Sequence, residues 1–122
     1  MPTSRWPIEF YEEQDSASPV RDFIDAFPKE KRAKLLAIVD LLSDKGPTLQ
    51  FPFSSHVRGK VRELRTHYGR DHYRILYAAT GRRGFVLLHA VVKRSMSLAE
   101  RDIRLAERRL RRWQSRQAIK GE

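Results

Sequence analysis

The fold turns on one stretch, VRGKVRELRTHYGRDHYRILYAATGRRGFVLLHAVV, residues 57–92. Val57 to Thr66 reads as a first strand of this stretch. The polar turn around Tyr68-Gly69-Arg70 ends it, and His72 to Ala79 reads as a second strand. Thr80-Gly81-Arg82-Arg83-Gly84, with its two glycines, reads as a hairpin loop. Phe85 to Val92 is apolar apart from His89, a near-continuous run that suggests the sheet centre.

Upstream, Trp6 to Tyr11 predicts a first strand with Trp6, Ile8 and Phe10 on one face. Ser18-Pro19 reads as an N-cap followed by proline at the first helical position, and Val20, Phe23, Ile24 and Phe27 fall at helical spacing. Pro28 restarts the chain in a second helix, whose apolar face of Leu35, Ile38, Val39, Leu41 and Leu42 runs until Gly46. Downstream, Ser97-Leu98-Ala99-Glu100 matches a capping box, and Ile103, Ala106, Leu110 and Trp113 share one helical face. The tail from Gln114 has no apolar pattern and is expected to fray. The order is β-α-α-β-β-β-α: an α+β domain, a small antiparallel or mixed sheet with two N-terminal helices and one C-terminal helix against one side. Residues 1–122 are expected to form one domain, ordered over about 5–113.

The chain has 122 residues, no cysteine, and 25 Lys plus Arg against 15 Asp plus Glu, for a net charge of +10. Lack of cysteine excludes disulfides, thiolate chemistry and Cys-ligated zinc, and fits a reducing cytoplasm. No apolar run approaches the roughly 20 residues of a membrane span, and the N-terminus shows no secretory signal. Most acidic residues lie between Glu9 and Asp44, and the chain is heavily basic from Arg58 onward. Such a surface favours a polyanion, nucleic acid or ribosome. A solvated basic face, or one meeting an acidic protein, is the plainer reading.

Alternation in the first strand of the 57–92 stretch sends Arg62 and Leu64 one way, Glu63 and Arg65 the other. Leu64 belongs to the core, so Glu63 and Arg65 are expected on the face the helices leave open. The pattern around Arg74 is ambiguous, but an unpaired buried arginine is costly, and the outward direction is expected. Lys93 ends the last strand, where its length could carry it across that face. These charges could equally make an ordinary cross-strand salt bridge. His56, His67, His72 and His89 match no metal-ligand spacing, so no metal or other cofactor is expected. His89, inside an apolar strand, reads as a core histidine with its hydrogen bonds met. The arginines of the last helix read as a solvated or partner-facing surface.

Four pieces stand in order: Arg58-Gly59-Lys60-Val61-Arg62-Glu63-Leu64-Arg65, Tyr73-Arg74-Ile75-Leu76-Tyr77, Phe85 through Arg94, and Ala106-Glu107-Arg108-Arg109. Together they resemble the phage-derived, HigB-like branch of the RelE/ParE toxin superfamily, over roughly residues 5–113. The resemblance implies a RelE-like fold and a cytoplasmic toxin of a type II toxin–antitoxin pair, usually a metal-independent endoribonuclease acting on mRNA in the ribosome. It also implies a cognate antitoxin, with a helix-turn-helix DNA-binding domain, held in a hetero-oligomer. Carried over residue by residue, it implies catalytic Glu63, Arg65, Arg74 and Lys93. RNA contacts are expected from Lys60, Arg62, His72, Tyr73 and Arg94. Where many relatives carry two lysines, this chain has Lys93-Arg94, and no Tyr or His follows Arg94.

Cleavage of RNA by its own 2′-hydroxyl needs a proton acceptor, cations for the developing phosphorane charge and a proton donor for the leaving oxygen. Glu63 could accept the proton, with Arg65 and Arg74 clamping phosphate, Lys93 stabilising charge, and His72 and Tyr73 in reserve. Two other functions fit the same fold: a non-catalytic nucleic-acid-binding regulator, and a ParE-like gyrase-inhibiting toxin.

Overall fold

In the computed structural model, which describes residues 5–120, the decisive stretch folds into an antiparallel meander. The elements are β1 (Ile8–Phe10), α1 (Pro19–Asp25), α2 (Lys29–Lys45), a 3₁₀ turn (Gly46–Thr48), β2 (Ser54–Arg58), β3 (Val61–Tyr68), β4 (Asp71–Ala79), β5 (Phe85–Lys93) and α3 (Glu100–Ile119). The sheet order is β1-β5-β4-β3-β2, with β1 parallel to β5 and every other pair antiparallel. The α+β class and mixed sheet therefore hold.

Several details differ from expectation. Val57 to Thr66 is not one strand: Gly59, at φ +58°, turns the chain so that Arg58 pairs with Val61, and the residues before it form the additional strand β2. β5 is an interior strand, but β4 occupies the centre. Ser18 precedes α1 as expected, yet its hydroxyl makes no capping bond. Helix α3 begins at Glu100 rather than after Ser97, because Glu100 is drawn sideways to Arg58 at 2.8 Å and Arg104 at 3.1 Å. It then runs through Ile119, past the expected fraying point at Gln114; residues 121–122 lie outside the described ones.

The largest correction concerns the layers. Helices α1 and α2 cover one sheet face, where Val20, Ile24, Leu35, Ile38 and Leu42 meet Leu64, Tyr73, Ile75, Tyr77, Phe85 and Leu87. Trp6, Ile8 and Phe10 pack on this same side, as the alternation predicted. The opposite face is not simply open. Ala106 and Leu110 of α3 cover Val61, Leu76, Ala78, Val86 and Leu88 there, together with Tyr11. Apolar side chains alternating onto both faces of β4 and β5 require a cover on each side.

A bulge makes the second face usable for more than packing. The β4–β5 register shifts between Leu76, opposite His89, and Tyr77, opposite Leu87. Leu88 is the extra residue, so Leu88 and His89 both point to the α3 side. Beyond the bulge Ala90 packs with the α1–α2 core, and the face of Val91 and Lys93 is set by that shift. Arginines of α3 hold the 11–13 segment: Arg109 donates to the Leu88 carbonyl at 2.9 Å and to Glu13 at 3.3 Å, and Arg109 and Arg116 both lie over the Tyr11 ring. No helix among the described residues is long and apolar enough to cross a membrane.

Gly46 ends α2 at φ +59° and ψ −139°, a region open to glycine alone, and a Cβ there would lie 2.3 Å from the Trp6 indole. Gly46→Ala should therefore lower stability by about 3 kcal/mol in denaturant titration, from backbone strain plus overpacking. Arg58 joins the β2–β3 hairpin to Glu100 and Glu107 of α3, and its hydrogen bonds hold both carboxyls below their usual range. Depressed carboxylates contribute stability above their ordinary value of 4.5 and lose it as pH falls through the folded value. The deficit of Arg58→Gln relative to the parent should accordingly shrink when melts are repeated from pH 7 down to pH about 3.

Candidate functional site

Where α3 ends its cover, the same sheet face carries polar side chains in rows set by the strand register. One row is Arg65, Arg74 and Val91; the next is His67, His72 and Lys93; on the other flank stand Glu63, Leu76 and His89. Successive rows lie about 7 Å apart along the strands. Glu63, Arg65, His72, Arg74 and Lys93 thus share one face, as the alternation predicted for Glu63 and Arg65.

Arg65 and Arg74 are direct cross-strand neighbours, an unfavourable pairing of like charges unless something intervenes. Glu63 intervenes. Its Oε2 accepts hydrogen bonds from Arg65 at 3.0 Å and from the Ser55 hydroxyl at 2.7 Å, while Oε1 lies 3.1 Å from Nε of Arg74. The last contact is an ion pair out of hydrogen-bond line: among the described residues neither Oε1 nor Nε has a hydrogen-bond partner. The other guanidinium nitrogens of Arg74 reach only the Tyr73 carbonyl at 3.4 Å and the Met96 sulfur at 3.9 Å, both weak contacts.

Arg74 therefore points to the expected side but is not exposed there. Its relative exposure is 1%, and that of Glu63 is 6%. The correction has a physical cause: Glu63 supplies the counter-charge that makes burial tolerable, and Met96 of the β5–α3 loop caps the guanidinium. Burial lowers the Arg74 pKa most, the neighbouring Arg65 lowers it further, and Glu63 opposes both. Arginine nonetheless keeps its proton at neutral pH.

Other residues singled out in the sequence scatter. Tyr73 lies in the α1–α2 core, edge-on to Phe27, and burial pushes its hydroxyl pKa up, so its side chain is on the wrong face to join Arg74. Arg62 is also on that face, bonded to Ser54 at 3.1 Å. Lys60 sits in the β2–β3 turn, at the far end of β3 from His67. Arg94 is exposed and bonds Asp71 at 3.2 Å. His89 is held by Asp102 at 2.9 Å and Arg109 at 3.4 Å, so both ring nitrogens are occupied, as its apolar setting suggested. Two contributors escaped the sequence reading. Ser55 was missed because β2 was not recognised, and Met96 lies in a loop with no periodic signal.

Removing the shared carboxylate isolates the central interaction. Glu63→Gln leaves Arg74 charged, buried and unpaired and should destabilise the protein by about 3 kcal/mol in denaturant melts. Replacing Glu63 and Arg74 together by Gln and Met should recover most of that loss, because no lone charge remains. A double variant no more stable than Glu63→Gln would mean that the pair is not what holds this region.

A family model described as "Phage derived protein Gp49-like (DUF891)" matches residues 22–111, from within α1 to most of α3, and includes every residue of the Glu63 cluster. No curated protein matches the chain. The family is consistent with the toxin of a toxin–antitoxin pair and lies in the setting of the RelE/ParE-like toxin superfamily. By its match and its fold, the chain belongs to the phage-derived Gp49-like family.

Proposed function

We propose that the protein is an endoribonuclease toxin of the HigB-like kind, which cleaves messenger RNA on the ribosome in the cytoplasm without a metal. Its cognate antitoxin, carrying a helix-turn-helix DNA-binding domain, would silence it in a hetero-oligomer. One observation carries the reading. Two arginines face each other across β3 and β4 with one carboxylate between them, and the buried one has donors aimed at no strong acceptor. Such a site has excess positive charge, two guanidiniums against one carboxylate, which suits a phosphodiester.

In this mechanism Arg65, at 17% side-chain exposure, is the group that exchanges its contact with Glu63 for a phosphate oxygen. Arg74 lies beneath and adds positive potential as negative charge grows on the equatorial oxygens. Glu63 is buried, with Oε2 hydrogen-bonded to Arg65 and Ser55 and Oε1 turned to the buried Arg74, so it serves better as a positioning residue than as the base. The proton of the 2′-hydroxyl passes to the row of His67, His72 and Lys93, whose ring and amine nitrogens stand next to the arginine row on the same face. The 2′-oxygen bonds to phosphorus as the bond to the 5′-oxygen breaks, and the departing oxygen takes a proton from the same row. Products are a 2′,3′-cyclic phosphate and a free 5′-hydroxyl. Outside the site, the +10 net charge draws the protein to ribosomal RNA.

Brief induction in cells, followed by mapping of new mRNA 5′ ends, tests the proposal. Ends should appear inside translated frames and fall about 100-fold with Arg65→Ala, the scale of losing one charge-stabilising donor. Growth arrest with intact mRNA would redirect the function to gyrase or another target. Neither arrest nor cleavage would leave a nucleic-acid-binding regulator.

A further inference from the structure

Beside the Glu63 cluster stands an aromatic ring that the mechanism does not use. Phe51 is 71% exposed, and the Arg65 guanidinium lies over one face of its ring, 5.2 Å from the centroid. Isolated exposed apolar side chains are ordinary on protein surfaces. This one differs because the loop that carries it is tied to the site strand two residues further on. Arg65 N–H donates to the Phe53 carbonyl at 2.8 Å, and Phe53 and Ser54 N–H groups both turn back to the Gln50 carbonyl at 3.0 and 3.1 Å. Leu49 anchors the start of the loop in the α1–α2 core. The loop is therefore fixed beside the site strand, and the ring rests with the Arg65 guanidinium over one face while most of its surface is in water.

We propose that Phe51 is a stacking platform for an unpaired nucleobase, and that the base it holds belongs to the nucleotide whose phosphate meets Arg65. Single-stranded RNA is recognised chiefly by bases stacked on aromatic and guanidinium planes, with the backbone on cations. Phe51 and Arg65 supply both within one guanidinium's reach of Glu63. A phenylalanine has no polar atom with which to read base edges, so the platform selects for unpaired, stackable RNA over duplex rather than for one base. The proposal rests on the phosphate site assigned to Arg65, and its test separates the two.

Binding of the purified protein to a fluorescent 2′-O-methyl oligoribonucleotide, which cannot be cleaved, is compared with binding to the same strand made abasic. Phe51→Ala should weaken binding of the base-bearing strand by about 5- to 100-fold, the range measured for losing one base–aromatic stack, and leave the abasic strand unchanged. Phe51→Trp should restore binding. Equal loss on both strands would overturn the platform, since the ring would then only be holding Arg65 in place. No loss on either would overturn it too, and would leave the ring as a protein-docking residue, with the phosphate site intact. If the parent protein bound neither strand, the phosphate site itself would fall.

Discussion

A guanidinium taken out of water inside a β-sheet has to be answered by a carboxylate, and here that requirement links Arg74 to Glu63. The answer is incomplete by design of the register. Glu63 stands diagonal to Arg74 while Arg65 stands directly opposite, so one carboxylate serves two cations. Replacing the group by apolar residues of similar volume would give a simpler core. Keeping it places a net positive charge and spare donors at a fixed point on the sheet, and β2 contributes the Ser55 hydroxyl that holds the carboxylate still. A second carboxylate that relaxed Arg74 fully would also cancel the positive charge that now stands beneath Arg65.

The rest of the architecture determines how much of that face is covered. Helix α3 is needed because Leu76, Val86 and Leu88 present a second apolar surface, but its cover stops at the Leu76 row. The bulge at Leu88 then sets which side chains reach the uncovered end. Without the extra residue, strict alternation would turn Val91 and Lys93 to the α1–α2 side of the sheet, away from Arg74 and His72. The arginines of α3 divide between two tasks. Arg109 and Arg116 turn inward to hold Tyr11 and the segment after it, whereas Arg101 and Arg108 lie exposed on the outer side.

Much of this was legible because side-chain periods are geometric. Trp6, Ile8 and Phe10, the apolar face of α2 and the split between Leu64 and its charged neighbours could all be read from spacing. What escaped was non-periodic. Gly59 and Lys60 form a two-residue turn inside a segment that reads as one strand, and this hid β2 and with it Ser55. The near-continuous Phe85–Val92 run pointed to the sheet interior, but the expectation of helices on one face only overlooked that such a run needs cover on both. Arg74 was harder still, because whether an arginine can be buried depends on a partner eleven residues away across a turn. His89 was read correctly because its surroundings are apolar within the strand itself.

The parallel pairing of β1 with β5 has a consequence for the order of assembly. Ile8–Phe10 bonds to Phe85–Leu87, so this edge can close only once Leu87 has been made. The meander from β2 to β5, by contrast, is built from neighbours joined by short turns, whose closure costs little entropy. Strand β1 is therefore made well before its partner strand, and its backbone groups wait unpaired while helices α1 and α2 and three strands of the meander are added.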